Sequence, residues 1–166
     1  MSLEGRPRPR SLTGRAGDDV SDLDKRVIEH LQADGRRPFT QIAAELGVSE
    51  AAVRARTNRL IERGILQIVG VTDPLKLGFH QMAMIGIRCE SDQLVKVADR
   101  IAEMPEVDYV VITAGTYDLL IETVCEDNEA LLRFLTEKLR SLEGVRETET
   151  FMYLRLVKQT YQWGTR

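Results

Sequence analysis

Apolar positions recur at helical spacing through the first part of the chain and then give way to shorter strand-like runs. Leu23, Val27, Ile28 and Leu31 repeat on one face until Asp34-Gly35, which predicts a helix capped by Ser21 or Asp22. Ile42, Ala43 and Leu46 stripe a second, short helix. Gly47-Val48 supplies a turn with an apolar anchor, and Ser49 caps a third helix whose Val53, Thr57, Leu60 and Ile61 face inward. Gly64 ends that helix. The β-branched run Ile65 to Val71 then reads as a strand, either the start of a wing or a hinge strand that pairs elsewhere, and Asp73-Pro74 breaks it.

From Phe79 onward the pattern predicts strand (81–89), helix (92–104), strand (107–113), turn (114–116), strand (117–125), helix (128–142) and strand (145–158). Leu94, Val97, Ala98 and Ile101 make the first of these helices amphipathic, and Leu131, Leu135, Leu139 and Leu142 the second. A faint internal repeat supports two similar units: Cys89-Glu90 and Cys125-Glu126 precede the helices, while Glu106-Val107 and Gly144-Val145 follow them. Two strand-helix-strand units joined by a hairpin make a ferredoxin-like βαββαβ domain, so the chain is read as α+β with an N-terminal winged helix-turn-helix. Helices cover one face of such a sheet. The strands YVVIT, YDLLIETV and FMYLRLV are apolar on both faces, so the other face needs a cover, most simply the same sheet of a second subunit.

This divides the chain into a disordered arm rich in Arg, Pro and Gly (1–20), a helix-turn-helix domain (21–64), a wing or hinge strand with a linker (65–78), the ferredoxin-like domain (79–158) and a short tail (159–166). In the arm, Arg6, Arg8, Arg10 and Arg15 offer non-specific phosphate contacts or simply solvate the terminus.

Composition refines this picture at two points. The chain is 43% hydrophobic and 30% charged, with no run long enough for a membrane span and no signal-peptide core, so the cytoplasm is the expected compartment. A net charge of −3 argues against a nucleic-acid binder until its placement is considered. Residues 1–64 hold 12 basic and 10 acidic side chains, and the remainder hold 11 and 16, so the front half is the basic one.

The third helix carries the most specific chemistry. Opposite its apolar stripe stand Arg54, Asn58 and Arg59, with small Ala51 and Ala52 near its start and no acidic residue between Ala51 and Ile61. A helix that is small at its beginning and basic further along approaches a duplex closely and reaches phosphates and base edges. An ordinary helical hairpin with solvated arginines is the competing reading. Elsewhere chemistry is sparse. His30 and His80 show no metal-ligand spacing, no phosphate-binding loop or nucleophile motif appears, and neither catalytic residues, a metal site nor a cofactor is expected. Cys89 and Cys125 end antiparallel strands at opposite ends of the sheet, so free thiols are expected rather than a disulfide.

The stretch from Leu23 to Gly78 resembles the N-terminal domain of the Lrp/AsnC family, the leucine-responsive or feast/famine transcriptional regulators. The resemblance rests on Asp24, Asp34-Gly35-Arg36, Leu46-Gly47-Val48-Ser49, and Arg56 with Leu60, Gly64 and Ile65. Thr57 departs from the usual apolar residue, and Glu50-Ala51 leaves the base preference open. It implies a DNA-facing set of Ser49, Glu50, Ala51, Ala52, Arg54, Arg56, Asn58 and Arg59. The second half is similar to the same family's effector-binding domain, with AGTYDLLI matching its hairpin. That implies homodimers assembling to tetramers or octamers, and a small molecule, commonly an amino acid, held near Gly115, Thr116, Tyr117 and Asp118, and less firmly near Thr148 and Thr150.

By chemistry alone, Gly115 exposes backbone N–H groups to a carboxylate and Asp118 accepts from an ammonium group. Equally, Gly115 makes the turn, Tyr117 packs and Asp118 satisfies backbone donors. The sequence thus reads as an operator-binding transcriptional regulator with an amino-acid effector. An effector-blind architectural DNA-binding protein, or from another class a ferredoxin-like enzyme or regulatory domain, is the alternative.

Overall fold

A computed structural model describes residues 20–160, and the disordered-arm expectation for 1–20, like most of the tail, falls almost wholly outside them. The chain divides between Val69 and Gly70 into two compact units.

The first unit is three helices: α1 (Asp22–Ala33), α2 (Phe39–Leu46) and α3 (Glu50–Glu62). Ser21 caps α1 in a reciprocal box, its hydroxyl accepting from the Asp24 N–H while the Asp24 carboxylate accepts from the Ser21 N–H. Gly47 turns the chain between α2 and α3 in the left-handed region (φ 68°), and Ser49 Oγ accepts from Ala52 N at 3.2 Å to start α3. Val27, Ile28, Leu31, Ile42, Ala43, Val53, Leu60 and Leu66 form the core, with Val48 packed against it as the expected anchor.

Two expectations fail here. Ile61 is 42% exposed, outside the inward stripe. The run Ile65–Val71 is not a strand. Its first amides close the helix instead, Ile65 N and Leu66 N both donating to Leu60 O, and Leu66 drops into the helical core. A strand needs a ladder partner, and among the described residues this run has none. A 3₁₀ turn at Pro74–Leu77 follows, capped by Asp73 and ended by Gly78.

The second unit is β1 (Gln81–Cys89), α4 (Leu94–Ala102), β2 (Val107–Ile112), β3 (Leu119–Cys125), α5 (Asn128–Arg133) and β4 (Val145–Met152). The antiparallel sheet runs β2-β3-β1-β4, the ferredoxin-like order. The last helix is less regular than its spacing suggests, for α5 continues through Phe134–Leu139 in wider π turns. Phe134 and Leu139, five apart, are both fully buried, whereas the anticipated Leu135 and Leu142 are only partly so. The last strand stops at Met152, well short of Lys158.

Register assigns the two faces. Ala83, Ile85, Ile87 and Cys89 of β1 and Leu119, Ile121, Thr123 and Cys125 of β3 pack under the helices. The opposite face carries Met82, Met84 and Gly86, with Leu120, Glu122 and Val124, then Val111 on one flank and Phe151 on the other. Tyr153 donates to Glu122 at 2.9 Å, and burial together with that carboxylate pushes its phenol up to about 12. No helix of this unit lies on that face. Cys125 pairs with Gln81 at the far end of β1 from Cys89, and both buried thiols are free.

Candidate functional site

The outer surface of α3 begins at the Ser49 cap and presents Glu50, Ala51, Arg54, Ala55 and Asn58 around one shallow concavity. Ala51 and Ala55 keep its floor low. Arg54 is aimed by two neighbours: it pairs with Glu50 one turn earlier, and its guanidinium stands 5.2 Å from the Phe39 ring centroid. Ala52 is half-buried beneath the cap it helps form.

Arg56 and Arg59 behave differently from Arg54 and Asn58. Both turn toward α1, where the Asp24 carboxylate is only 1% exposed. Arg56 donates to Asp24 Oδ1 at 2.8 Å and to Ser21 Oγ at 3.2 Å, while Arg59 reaches both carboxylate oxygens at 3.0 and 3.1 Å. Burial pushes the Asp24 carboxyl upward, but hydrogen bonds from Ser21 and Arg56 outweigh it and hold the group at about 2. Arg59 nonetheless remains half exposed. In the sequence Asp24 stood out only among the residues that carry the family resemblance; its position three and four residues before Val27 and Ile28 was the available hint that it faces inward.

The hairpin between β2 and β3 gathers four of the other candidates. Thr113 N donates to Asp118 O at 2.9 Å and Thr113 Oγ1 to Tyr117 O at 2.5 Å, pinching the turn closed. Gly115 is exposed, with nothing near the position of a Cβ, so a side chain could be accommodated there. Asp118 is already engaged. Its N–H donates to Ile87 O at 2.9 Å and its Oδ2 accepts from Cys89 N at 2.8 Å, stitching the hairpin to β1. That carboxylate, after desolvation by burial, also raises the Cys89 thiol.

Tyr117 lies on the helix-free face, edge-on to Phe151 with ring centroids 6.2 Å apart. Thr148 and Thr150 pair in register with Ile87 and Ile85, which places them on the helix side of the sheet. Within one chain, therefore, Tyr117 and the two threonines do not meet. Thr148 is held by Arg140 instead, whose Nε donates to Oγ1 at 2.9 Å. Sequence reasoning missed Arg88, which donates to Thr116 O at 3.1 Å, pairs with Glu147 at 3.3 Å and sits 5.9 Å from the Tyr117 ring centroid. This one side chain thus touches the hairpin twice, at Thr116 and Tyr117, and ties it to Glu147 on β4.

Comparison with known proteins agrees with both units. Residues 20–61 match the model of the AsnC-type helix-turn-helix domain, and residues 82–163 that of the Lrp/AsnC ligand binding domain. An uncharacterized HTH-type transcriptional regulator of Pyrococcus furiosus is 34% identical over 146 residues, spanning 87% of this chain and 96% of its own. The HTH-type regulator FL11 of the same organism is 33% identical over 142 residues, 85% and 93% of the two chains. Among solved structures, Escherichia coli AsnC superposes with a TM-score of 0.79 at 23% identity, covering 88% of this chain and 98% of that one. A regulator from Neisseria meningitidis, solved as a complex with L-methionine, gives 0.80 at 22%, covering 87% and 96%. These relatives are regulators, not enzymes, and among the described residues no helix is long and apolar enough to cross a membrane. The chain belongs to the Lrp/AsnC family of DNA-binding, helix-turn-helix transcriptional regulators.

Proposed function

We propose that this regulator reads an operator with the outer face of α3 and changes its operator affinity when an amino-acid-like effector binds near the β2–β3 hairpin. Ser49, Glu50, Ala51, Ala52, Arg54 and Asn58 form the groove-facing set, with Arg56 and Arg59 at its phosphate-facing flank. Small residues at the start of α3 let the backbone approach base edges, and Arg54 supplies a fork suited to guanine. The observation that carries this reading is the pairing of a capped helix, exposed through Ala51, Arg54, Ala55 and Asn58, with a separate domain that matches a ligand-binding model.

The helix-free sheet face is the assembly surface of the proposal. Met84, Leu120, Val111 and Phe151 lie together on it, and a second copy of the same face covers them symmetrically in a homodimer. Dimers then associate into tetramers or octamers, with the effector held between them. In that arrangement Gly115 and Thr116 offer backbone donors to a carboxylate. Asp118 keeps acceptor capacity beyond the Cys89 amide for an ammonium group, since a carboxylate has about four lone-pair sites. Thr148 and Thr150 belong to the site only if another subunit brings them to the hairpin. The relative solved with L-methionine makes amino acids the first ligands to test.

The bond that the Asp118 carboxylate already accepts from Cys89 N favours one alternative, a regulator of the same fold that ignores effectors. A thermal-shift screen of the full chain against the standard amino acids separates the two, because a ligand bound by the native state alone raises its stability. Stabilisation by one or a few of them supports the effector reading. A flat profile across all of them favours the effector-blind form.

A further inference from the structure

The most heavily built polar cluster among the described residues lies away from the exposed concavity of α3. It is the carboxylate of Asp24 with Ser21, Arg56 and Arg59, joining residues 32 and 35 positions apart in the chain. We infer that Asp24 is a positioning residue of the DNA interface, fixing the two arginines of α3 from α1 so that operator discrimination depends on it. This inference rests on α3 being the reading helix.

The cluster is costly as a source of stability alone. Moving a carboxylate out of water carries a large desolvation penalty, and an apolar side chain of similar volume often serves a core equally well. What an apolar residue would not do is hold guanidinium groups. Asp24 meets both of them: Arg59 Nη2 reaches its two oxygens at once, and Arg56 Nη1 is shared between Oδ1 and the Ser21 hydroxyl. The Ser21 N–H and hydroxyl hold Oδ2 at 3.1 and 2.7 Å, so the carboxylate is itself fixed by the cap of α1.

The outer parts of the arginines remain available. Arg56 is 30% and Arg59 50% exposed, and the two arginines with one carboxylate leave the cluster a net single positive charge. Arginines locked before DNA arrives lose less side-chain freedom on contacting phosphate than free ones do. They also fix the register of α3 against the backbone, which sets which bases Arg54 and Asn58 face. Removing the carboxylate therefore frees two positive charges and destroys their placement. Non-specific attraction rises while discrimination falls.

The test uses the full-length protein, a duplex selected by the wild type from a randomised pool, and a shuffled duplex of the same composition. For Asp24→Asn, measured where the protein is folded, binding to the selected duplex falls about tenfold or more, while binding to the shuffled duplex holds or strengthens. The ratio of the two drops, which loss of folded protein alone would not produce. A folded Asp24→Asn with the wild-type ratio overturns the inference. If that variant melts below the assay temperature, Asp24→Glu keeps the charge and displaces the carboxylate by one methylene. A lower ratio then supports the inference and an unchanged one overturns it. Arg54→Ala and Asn58→Ala run beside it. If they leave the ratio at the wild-type value, α3 is not the reading helix and the inference falls with that reading; if they lower it while the Asp24 variants do not, the inference alone falls.

Discussion

The backbone of Gly86 on β1 lies directly against the ring of Tyr117 at the hairpin: a Cβ built at Gly86 would stand 2.6 Å from Cγ of the tyrosine and 2.7 and 2.8 Å from its Cδ atoms. Glycine is required here for space, not for backbone angle. Gly86→Ala must therefore displace Tyr117, which also contacts Phe151 and lies near Arg88. The expected cost is about 1–3 kcal/mol, as for overpacking elsewhere in a folded core. Denaturant melts of Gly86→Ala in wild-type and Tyr117→Ala backgrounds check the assignment, because most of that cost should vanish once the ring is gone.

Thr57 sits in the α1–α3 core at 1% exposure, and its hydroxyl has no hydrogen-bond partner among the described residues. Thr57→Val keeps the branched shape and removes an unsatisfied polar atom. A gain of about 1 kcal/mol is expected, visible as a higher melting temperature. An equal or lower value would mean that the hydroxyl is satisfied in solution.

Asp24 links stability to pH. Its folded carboxyl titrates at about 2 against an ordinary value of 3.8, so its contribution is fully present above the ordinary value and disappears as pH falls through the folded one. The contribution is roughly 2 kcal/mol. Melting curves of wild type and Asp24→Asn should differ by a constant amount near neutrality and converge between about pH 4 and pH 2. A gap that stays constant down to pH 2 would contradict the ion-pair account.

On the helix-free sheet face, Met84 stands opposite both Glu122 and Phe151 in the two flanking ladders. If that face meets a second copy, Met84→Glu buries a charge there, beside Glu122. Light scattering on the full chain should show the wild type at least dimeric and the variant shifted to smaller species. A variant that keeps the wild-type mass would place the assembly surface elsewhere.

How much of this was legible depended on how local each feature is. Capping by Ser21 and Ser49, the Gly47 turn and, Ile61 apart, the inward stripes of α1 to α3 are set within a few residues, and the sequence carried them. The strand-like runs 81–89 and 117–125 did likewise for β1 and, two residues late, β3. Ile65–Val71 misled because β-branched content marks a strand only when a partner supplies the ladder, and here Leu60 takes the first two amides. Phe134 was missed because a π turn replaces helical spacing with one of five. The candidate residues could be named one by one but not as a constellation. Arg56 and Arg59 looked like solvated or DNA-facing cations until a carboxylate from another helix claimed them, and Tyr117 parts from Thr148 and Thr150 only once the register is known.

The central claim, that an effector near the hairpin governs DNA binding through a separate domain, meets its most direct test in one titration. Operator affinity of the full-length wild type is measured with and without an amino acid that raises its melting temperature, beside Asp118→Ala under the same conditions. Couplings between distinct sites commonly correspond to about 1–3 kcal/mol, so the wild-type affinity should shift by roughly 5- to 150-fold. Asp118→Ala should keep its effector-free affinity and lose that shift. If the bond from Cys89 N to Asp118 is its whole purpose, the variant instead loses melting temperature and its response falls only with the folded fraction. A stable Asp118→Ala that responds like the wild type removes Asp118 from the site, and a wild type whose operator affinity no amino acid alters contradicts the claim itself.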